Sequence, residues 1–162
     1  MTAEQIRLVY EAIGETTPLK EDCGRLCGAA CCEADGDGQG GVCLLPGEEE
    51  LLRGNARGDI EHERMMDRPM LVCRGACDRN LRPFLCRIFP LCPVRGEKGW
   101  TLRMDARARA VCPLSRSGVR ALDPEFVRGC VRATRLVAQD PEGEAFLECW
   151  AGIEAAFRKP LW

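Results

Sequence analysis

Ten of the chain's twelve cysteines fall between Cys23 and Cys112, set among glycines and prolines rather than on a periodic apolar pattern. Free cysteine is among the most buried residue types. Simple burial explains Cys130 and Cys149, which sit on the apolar faces of two expected helices. It does not explain the other ten, because apolar packing gives no reason for clusters flanked by Gly and Pro. A chain of 162 residues can bury a core without cross-links, so the thiols are not needed as staples. One domain is expected over residues 1–162, with a cysteine-rich metal-binding core at 23–114 and a C-terminal helical pair at 120–158.

The choice between ligands and disulfides rests on compartment. Met1 to Ile13 carries Glu4 and Glu11, and lacks the basic start, continuous apolar run and small-residue cleavage site of a secretory signal. No stretch approaches the roughly 20 apolar residues that cross a bilayer. A cytoplasmic protein with no membrane partner is expected, and there thiols stay reduced. That favours metal ligands over a secreted scaffold of six disulfides. A formal charge of -2 gives no electrostatic case for a nucleic-acid partner.

Along the chain, Ile6, Val9, Tyr10 and Ile13 recur at helical spacing behind Thr2, and Gly14 closes the pattern, which predicts an amphipathic helix. Residues 15–47 read as loop, with Gly36, Gly38, Gly40 and Gly41 separating Cys32 from Cys43. Glu48, Glu49 and Glu50 before Leu51 and Leu52 predict a short helix with acids in a solvated first turn. Residues 53–69 are polar and mixed, and their His62 reads as a surface residue. Short strands are expected at 70–73 and 100–104, paired with one another. Between them Pro83, Pro90 and Pro93 forbid a long helix and leave the cysteines on irregular backbone. Asp123-Pro124-Glu125 and Asp140-Pro141-Glu142 each supply an N-cap, a proline at the first helical position and an acid. They start two helices expected to pack as an antiparallel pair. The first turns Phe126, Val127, Cys130, Val131 and Val137 to one side; the second turns Phe146, Cys149, Trp150, Ile153 and Phe157. The fold class is α+β, mainly α, with a small irregular core and short strands packed against terminal helices.

Cys23, Cys27 and Cys31 are four residues apart, but Gly24 and Gly28 disfavour a helix by about 1 kcal/mol each, so glycine-supported turns are expected there. Adjacent Cys31 and Cys32 project differently if the backbone is extended, and so serve two sites or bridge two metals. Cys73 and Cys77 stand in a C-x3-C turn in which Gly75 supplies positive φ, at a spacing used by zinc sites. Cys86 and Cys112 complete this second group. The pairs Cys92-Pro93 and Cys112-Pro113 have a form also met at iron–sulfur ligands. A centre built from thiolates accumulates negative charge. Arg74, Arg79, Arg82 and Arg87 lie among the candidates, and Arg82 and Arg87 are assigned to its outer shell.

Cys27-Gly-Ala-Ala-Cys31-Cys32, Cys43, the Cys73/Cys77 pair and the block Arg82-Pro83-Phe84-Leu85-Cys86-Arg87-Ile88-Phe89-Pro90 resemble the zinc- or iron-chelating proteins defined by a CxxCxxCC motif. That family also includes flagellin lysine N-methylase-like proteins. The resemblance covers residues 23–114, and the first two spacings here are x3 where the family has x2, a departure that falls on Cys23 more than on Cys31 or Cys32. It implies metal binding. Ligands are therefore expected among Cys23, Cys27, Cys31, Cys32, Cys43, Cys73, Cys77, Cys86 and Cys112, holding one or two centres of Zn2+, or alternatively of iron or an iron–sulfur cluster. The alternative functions are an iron–sulfur enzyme, methyl-transferring or redox, and a structural zinc module that contacts a partner protein. The chain has no P-loop, no dinucleotide-type glycine fingerprint and, with one His, no Ser/His/Asp set.

Overall fold

A computed structural model describes residues 1–32, 41–54, 58–63, 67–75 and 78–158. The N-terminal helix α1 (Ala3–Ile13) forms as the sequence dictates. Thr2 accepts from the Gln5 amide, and the Gln5 side chain returns to the Thr2 amide at 2.6 Å, a capping box that satisfies two orphan donors. Ile6, Val9 and Ile13 are buried on its inner face, each contributing about 1.5–3 kcal/mol by leaving water. Helices α5 (Pro124–Val137) and α6 (Pro141–Arg158) start at the two Asp-Pro-Glu triplets. Asp123 accepts from Glu125 and Phe126, and Asp140 from Glu142 and Gly143.

The two long helices do not pack as the expected pair. Helix α5 lies mainly against α1, and α6 against the strand Leu91–Gly96. Gly129 explains the first contact: a Cβ there would come within 2.9 Å of the Ala12 carbonyl, so only glycine lets the two backbones approach so closely. The buried face of α6 also differs from the expected one. Phe146 and Leu147 are fully enclosed, whereas Cys149 and Phe157 are exposed and Glu154 is buried.

Five strands form two antiparallel sheets among the described residues. β1 (Gly41–Cys43), β2 (Gly58–Glu63) and β3 (Arg68–Cys73) align in the order β1-β3-β2, with Leu71 opposite both Val42 and Ile60. β4 (Leu91–Gly96) and β5 (Gly99–Met104) form a separate hairpin. The strands expected at 70–73 and 100–104 both exist, but each pairs with a neighbour the sequence did not signal. Pro93 is tolerated in β4 because both strands of a two-stranded ribbon are edges.

Three short helices complete the frame: α2 (Gly24–Cys27), α3 (Glu48–Leu52) and α4 (Phe84–Ile88). Cys86 therefore sits on a helical turn and Cys92 on a strand, not on irregular backbone. The main core gathers Val9 and Ile13 from α1, Phe84, Leu85 and Ile88 from α4, Leu91, Trp100, and the inner faces of α5 and α6. A smaller cluster of Leu44, Leu52 and Leu71 lies under the three-stranded sheet.

Glu48 is the least expected member of this frame. It is not a solvated acid but is fully buried, accepting from the Tyr10 hydroxyl at 2.5 Å and from the amides of Phe84 and Leu45 at 2.6 and 2.8 Å. Burial pushes its carboxyl above the usual carboxylate range, against the pull of these three donors and of Arg87. One side chain thereby ties α1, α3 and the start of α4 together.

Candidate metal centre

The turn that carries the first cysteines is built by glycine. Helix α2 lasts four residues because Gly28 takes the left-handed conformation at φ 64° and returns its amide to the Gly24 carbonyl, the αL cap that ends many helices. A 3₁₀ turn over Ala30–Cys32 follows. Cys31 and Cys32 are therefore not extended and do not diverge. Their sulfurs lie 3.9 Å apart, in contact but well beyond the roughly 2.05 Å of a disulfide.

A cavity of about 350 Å³ opens beside this turn. Cys23, Cys27, Cys31, Cys32, Cys86 and Cys112 all line it, and so do Arg25, Arg79, Arg82 and Arg87. These six thiols come from the α2 turn, from α4 and from the segment after β5, up to 89 residues apart in sequence. Cys112 reaches the cavity from the start of a 3₁₀ turn, Pro113–Arg116, whose Leu114 and Ser115 amides favour its thiolate against the effect of burial.

The charges of the thiols interact. Burial raises the Cys23 thiol, and Asp22, Cys112 and Cys27 raise it further, while Arg79 lowers it. Burial likewise raises Cys112, with Cys27 adding to the effect. Within the adjacent pair, the hydrogen bond shared by the two sulfurs lowers Cys32 and raises Cys31. The Arg82 guanidinium also favours the Cys32 thiolate. Of the pair, Cys32 is thus the sulfur favoured as thiolate.

Two of these arginines, Arg79 and Arg87, are held in place by backbone carbonyls, whereas Arg25 is exposed. Arg87 donates from Nε to the Arg82 carbonyl at 2.8 Å and from Nη2 to the Asn80 carbonyl at 2.9 Å. Its guanidinium stacks 3.9 Å from the centroid of the Tyr10 ring, the same Tyr10 that bonds Glu48. Arg79 donates to the Thr16 carbonyl at 3.4 Å. Arg74 stands apart, exposed and paired with Asp59.

The remaining candidates fall elsewhere. Cys73 lines a second cavity, of about 330 Å³, which Cys31, Cys32 and Cys86 also line. Cys43 is buried in the main core and lines neither cavity. Cys77 lies outside the described residues, as do residues 36–40 of the glycine-rich loop; Gly75 has the positive φ, 106°, expected before Cys77. His62 belongs to β2, and its side chain is likewise outside the description. Cys92 is enclosed between β4 and α6, and burial, with Asp105 and Glu154 nearby, pushes its thiol up to about 12.

Among the described residues, no three Cys, His, Asp or Glu side chains are gathered tightly enough to hold a metal ion as they stand. The donor set nevertheless suits a soft or borderline cation. Thiolates select zinc, copper(I) and iron–sulfur clusters, and disfavour magnesium and calcium.

No helix among the described residues is long and apolar enough to cross a membrane. In comparisons with known proteins, the chain matches no family model, no curated protein and no solved structure.

Proposed function

We propose that this chain is a thiolate-ligating metal protein whose centre forms in the 350 Å³ cavity, with ligands drawn from Cys23, Cys27, Cys31, Cys32, Cys86 and Cys112. The observation that carries this reading is the meeting of six thiols from three separate segments around one cavity that four arginines also line. Random burial of small hydrophobes would not favour guanidinium neighbours, which an anionic thiolate centre needs. Arg82 and Arg87 serve as outer-shell cations, and the Leu114 and Ser115 amides serve the Cys112 sulfur. Zn2+ is the leading candidate, because four thiolates give it a closed tetrahedral site of the structural kind. Four thiols would have to draw together from the positions they now hold for metal to bind, and the six available leave two over once four are engaged.

The test is metal analysis and an absorption spectrum after anaerobic purification, repeated for Cys86→Ser. About one zinc per chain with no visible absorption, lost in Cys86→Ser, supports the reading. Iron with sulfide and a brown spectrum would move the centre to an iron–sulfur cluster and favour a redox or methyl-transfer enzyme. A protein that takes up neither metal under reducing conditions would sink it.

A further inference from the structure

The two cavities sort the thiols. Cys23, Cys27 and Cys112 line only the first, Cys73 lines only the second, and Cys31, Cys32 and Cys86 line both. A donor count follows from this sorting. A structural zinc ion takes four ligands in a tetrahedron, so two ions need eight donor positions. Seven thiols supply eight when one thiolate binds both ions. A centre confined to the first cavity leaves two thiols over and gives Cys73 no part.

The shared wall also indicates which sulfur bridges. Cys31 and Cys32 stand side by side in the 3₁₀ turn with their sulfurs 3.9 Å apart. Two sulfurs each about 2.3 Å from a tetrahedral zinc are separated by about 3.8 Å, so the pair already spans one edge of a coordination tetrahedron. Cys86 comes alone from α4 and is the remaining sulfur that faces both spaces. Cys73 completes the second set from the last residue of β3. Its sulfur lies 3.9 Å from the Leu71 carbonyl oxygen, a contact of the thiol proton that is given up when metal displaces that proton.

We infer that the chain holds a binuclear zinc centre: one ion on Cys23, Cys27, Cys112 and Cys86, the other on Cys31, Cys32, Cys73 and Cys86, with the Cys86 sulfur as the bridge. The inference rests on the metal reading above and extends it. The donors of the second ion, like those of the first, close in from the positions they now hold. Seven thiolates around two dications leave three negative charges. Arg79, Arg82 and Arg87 line the first cavity, and Arg82 lines the second as well, which places guanidinium groups where such a charge needs an outer shell. Cys31 is exposed, so the second ion is the more open to exchange.

The protein as purified scores the first ion; titration of the full chain with zinc under reducing conditions scores the second. Metal analysis after desalting should saturate at two ions per chain. Replacement by 113Cd should give two NMR resonances of equal intensity, each split by the other through the Cys86 sulfur. Cys73→Ser should fall to one ion and a single unsplit resonance, whereas Cys149→Ser should keep both ions. Saturation at one ion, two resonances without mutual splitting, or two ions retained by Cys73→Ser each overturn the inference. Iron with sulfide in place of zinc does so too. If Cys73→Ser does not fold, the splitting and an alkylation map of the unmodified chain decide the matter. Zinc should shield Cys73 from alkylation, and equal labelling with and without zinc would remove it from the site. One ion that is lost in Cys86→Ser and kept in Cys73→Ser would leave the metal reading standing without its second ion. No uptake of either metal would remove both.

Discussion

Cys130 and Cys92 lie in the part of the molecule built from long helices and the β4–β5 hairpin, whereas Cys31 and Cys32 lie on the wall of the arginine-rimmed cavity. All four carry the same functional group, yet only Cys32 is driven down; Cys31, which shares its hydrogen bond, is raised like the two packed thiols. Burial alone raises the Cys130 thiol, and burial with two nearby carboxylates raises Cys92. Both remain neutral, small and apolar. Cys32 is also partly enclosed, but a second sulfur and the Arg82 guanidinium lower it to about 6. What separates a packing cysteine from a candidate ligand here is neighbouring sulfur: guanidinium and carboxylate groups stand near thiols in both regions, but only the cavity gathers several thiols together.

The contrast is broken most directly by taking metal away. Binding by structural zinc is worth on the order of 10 kcal/mol, more than most domains' net stability. A chelator under reducing conditions should therefore lower the melting temperature sharply. Amide exchange should localise the loss to residues 23–32 and 107–116, with protection in α1 and α5 retained. Those two helices carry much of the main apolar core and do not depend on the thiols. An unchanged melt after verified metal loss would mean that the cysteine-lined region stands without its ion.

Glu48 is the next test, because it lies where the two regions meet. Glu48→Ala strands the buried Leu45 and Phe84 amides, at about 1–3 kcal/mol for each unsatisfied donor. A loss of about 3 kcal/mol in urea unfolding is expected. Glu48→Gln keeps the volume but presents an NH2 group to one of those amides, and should cost less. The pH dependence has a definite sign. The folded chain holds the Glu48 proton to higher pH than the unfolded chain does, so this group's contribution is full below the usual carboxylate range and is lost as pH rises through the raised value. The deficit of Glu48→Gln relative to wild type should therefore shrink from pH 4 to pH 8. A deficit that grows over that interval would show that Glu48 is held in its charged form.

Much of the scaffold was legible because its signals are local. The Thr2 capping box and the two Asp-Pro-Glu starts act within four residues, and the helices they open run where the spacing placed them. The burial of Glu48 was not legible, since its donors come from Tyr10, Leu45 and Phe84, two of them more than thirty residues away. Three consecutive acids look like a wet first turn until tertiary structure supplies the bonds. β2 was missed for a related reason: Gly58–Glu63 is polar along most of its length, and only pairing with β3 makes it a strand. For the candidate site, Arg82 and Arg87 line the same cavity as six of the thiols. Which thiols share a wall was decided by topology, which delivers Cys112 to the α2 turn and sends Cys43 into the core.

Gly129 sharpens the helical side of the comparison. In Gly129→Ala the new methyl group meets the Ala12 carbonyl at 2.9 Å and the Ile13 Cα at 3.2 Å, both backbone atoms with little freedom to retreat. Overpacking of this kind costs about 1–3 kcal/mol, and the better helix propensity of alanine returns at most about 1 kcal/mol. A modest fall in melting temperature with unchanged metal content is expected. A rise would mean that α1 moves away from α5 without penalty.

The smallest effects are expected at Cys149, where sequence and structure part company. Its position among Phe146, Trp150 and Ile153 marks it as a core thiol, yet α6 turns it to solvent, because the helix settles on β4 through Phe146 and Leu147 and buries Glu154 instead. Glu154 can be buried because Arg103 and Arg158 pair with it and the Ala106 amide donates at 3.1 Å, and that rotation leaves Cys149 outside. Cys149→Ser should change stability by less than about 0.5 kcal/mol, as exposed substitutions do. Cys130→Ser places a hydroxyl in a fully buried site between α5 and its neighbours, and should cost about 1–3 kcal/mol. Neither variant should lose metal. Thermal melts with metal analysis on both proteins check the pair, and alkylation of the folded chain should label Cys149 and spare Cys130. A costly Cys149→Ser would turn α6 back toward the face its sequence displays, and metal loss in either variant would extend the candidate centre into the helical region.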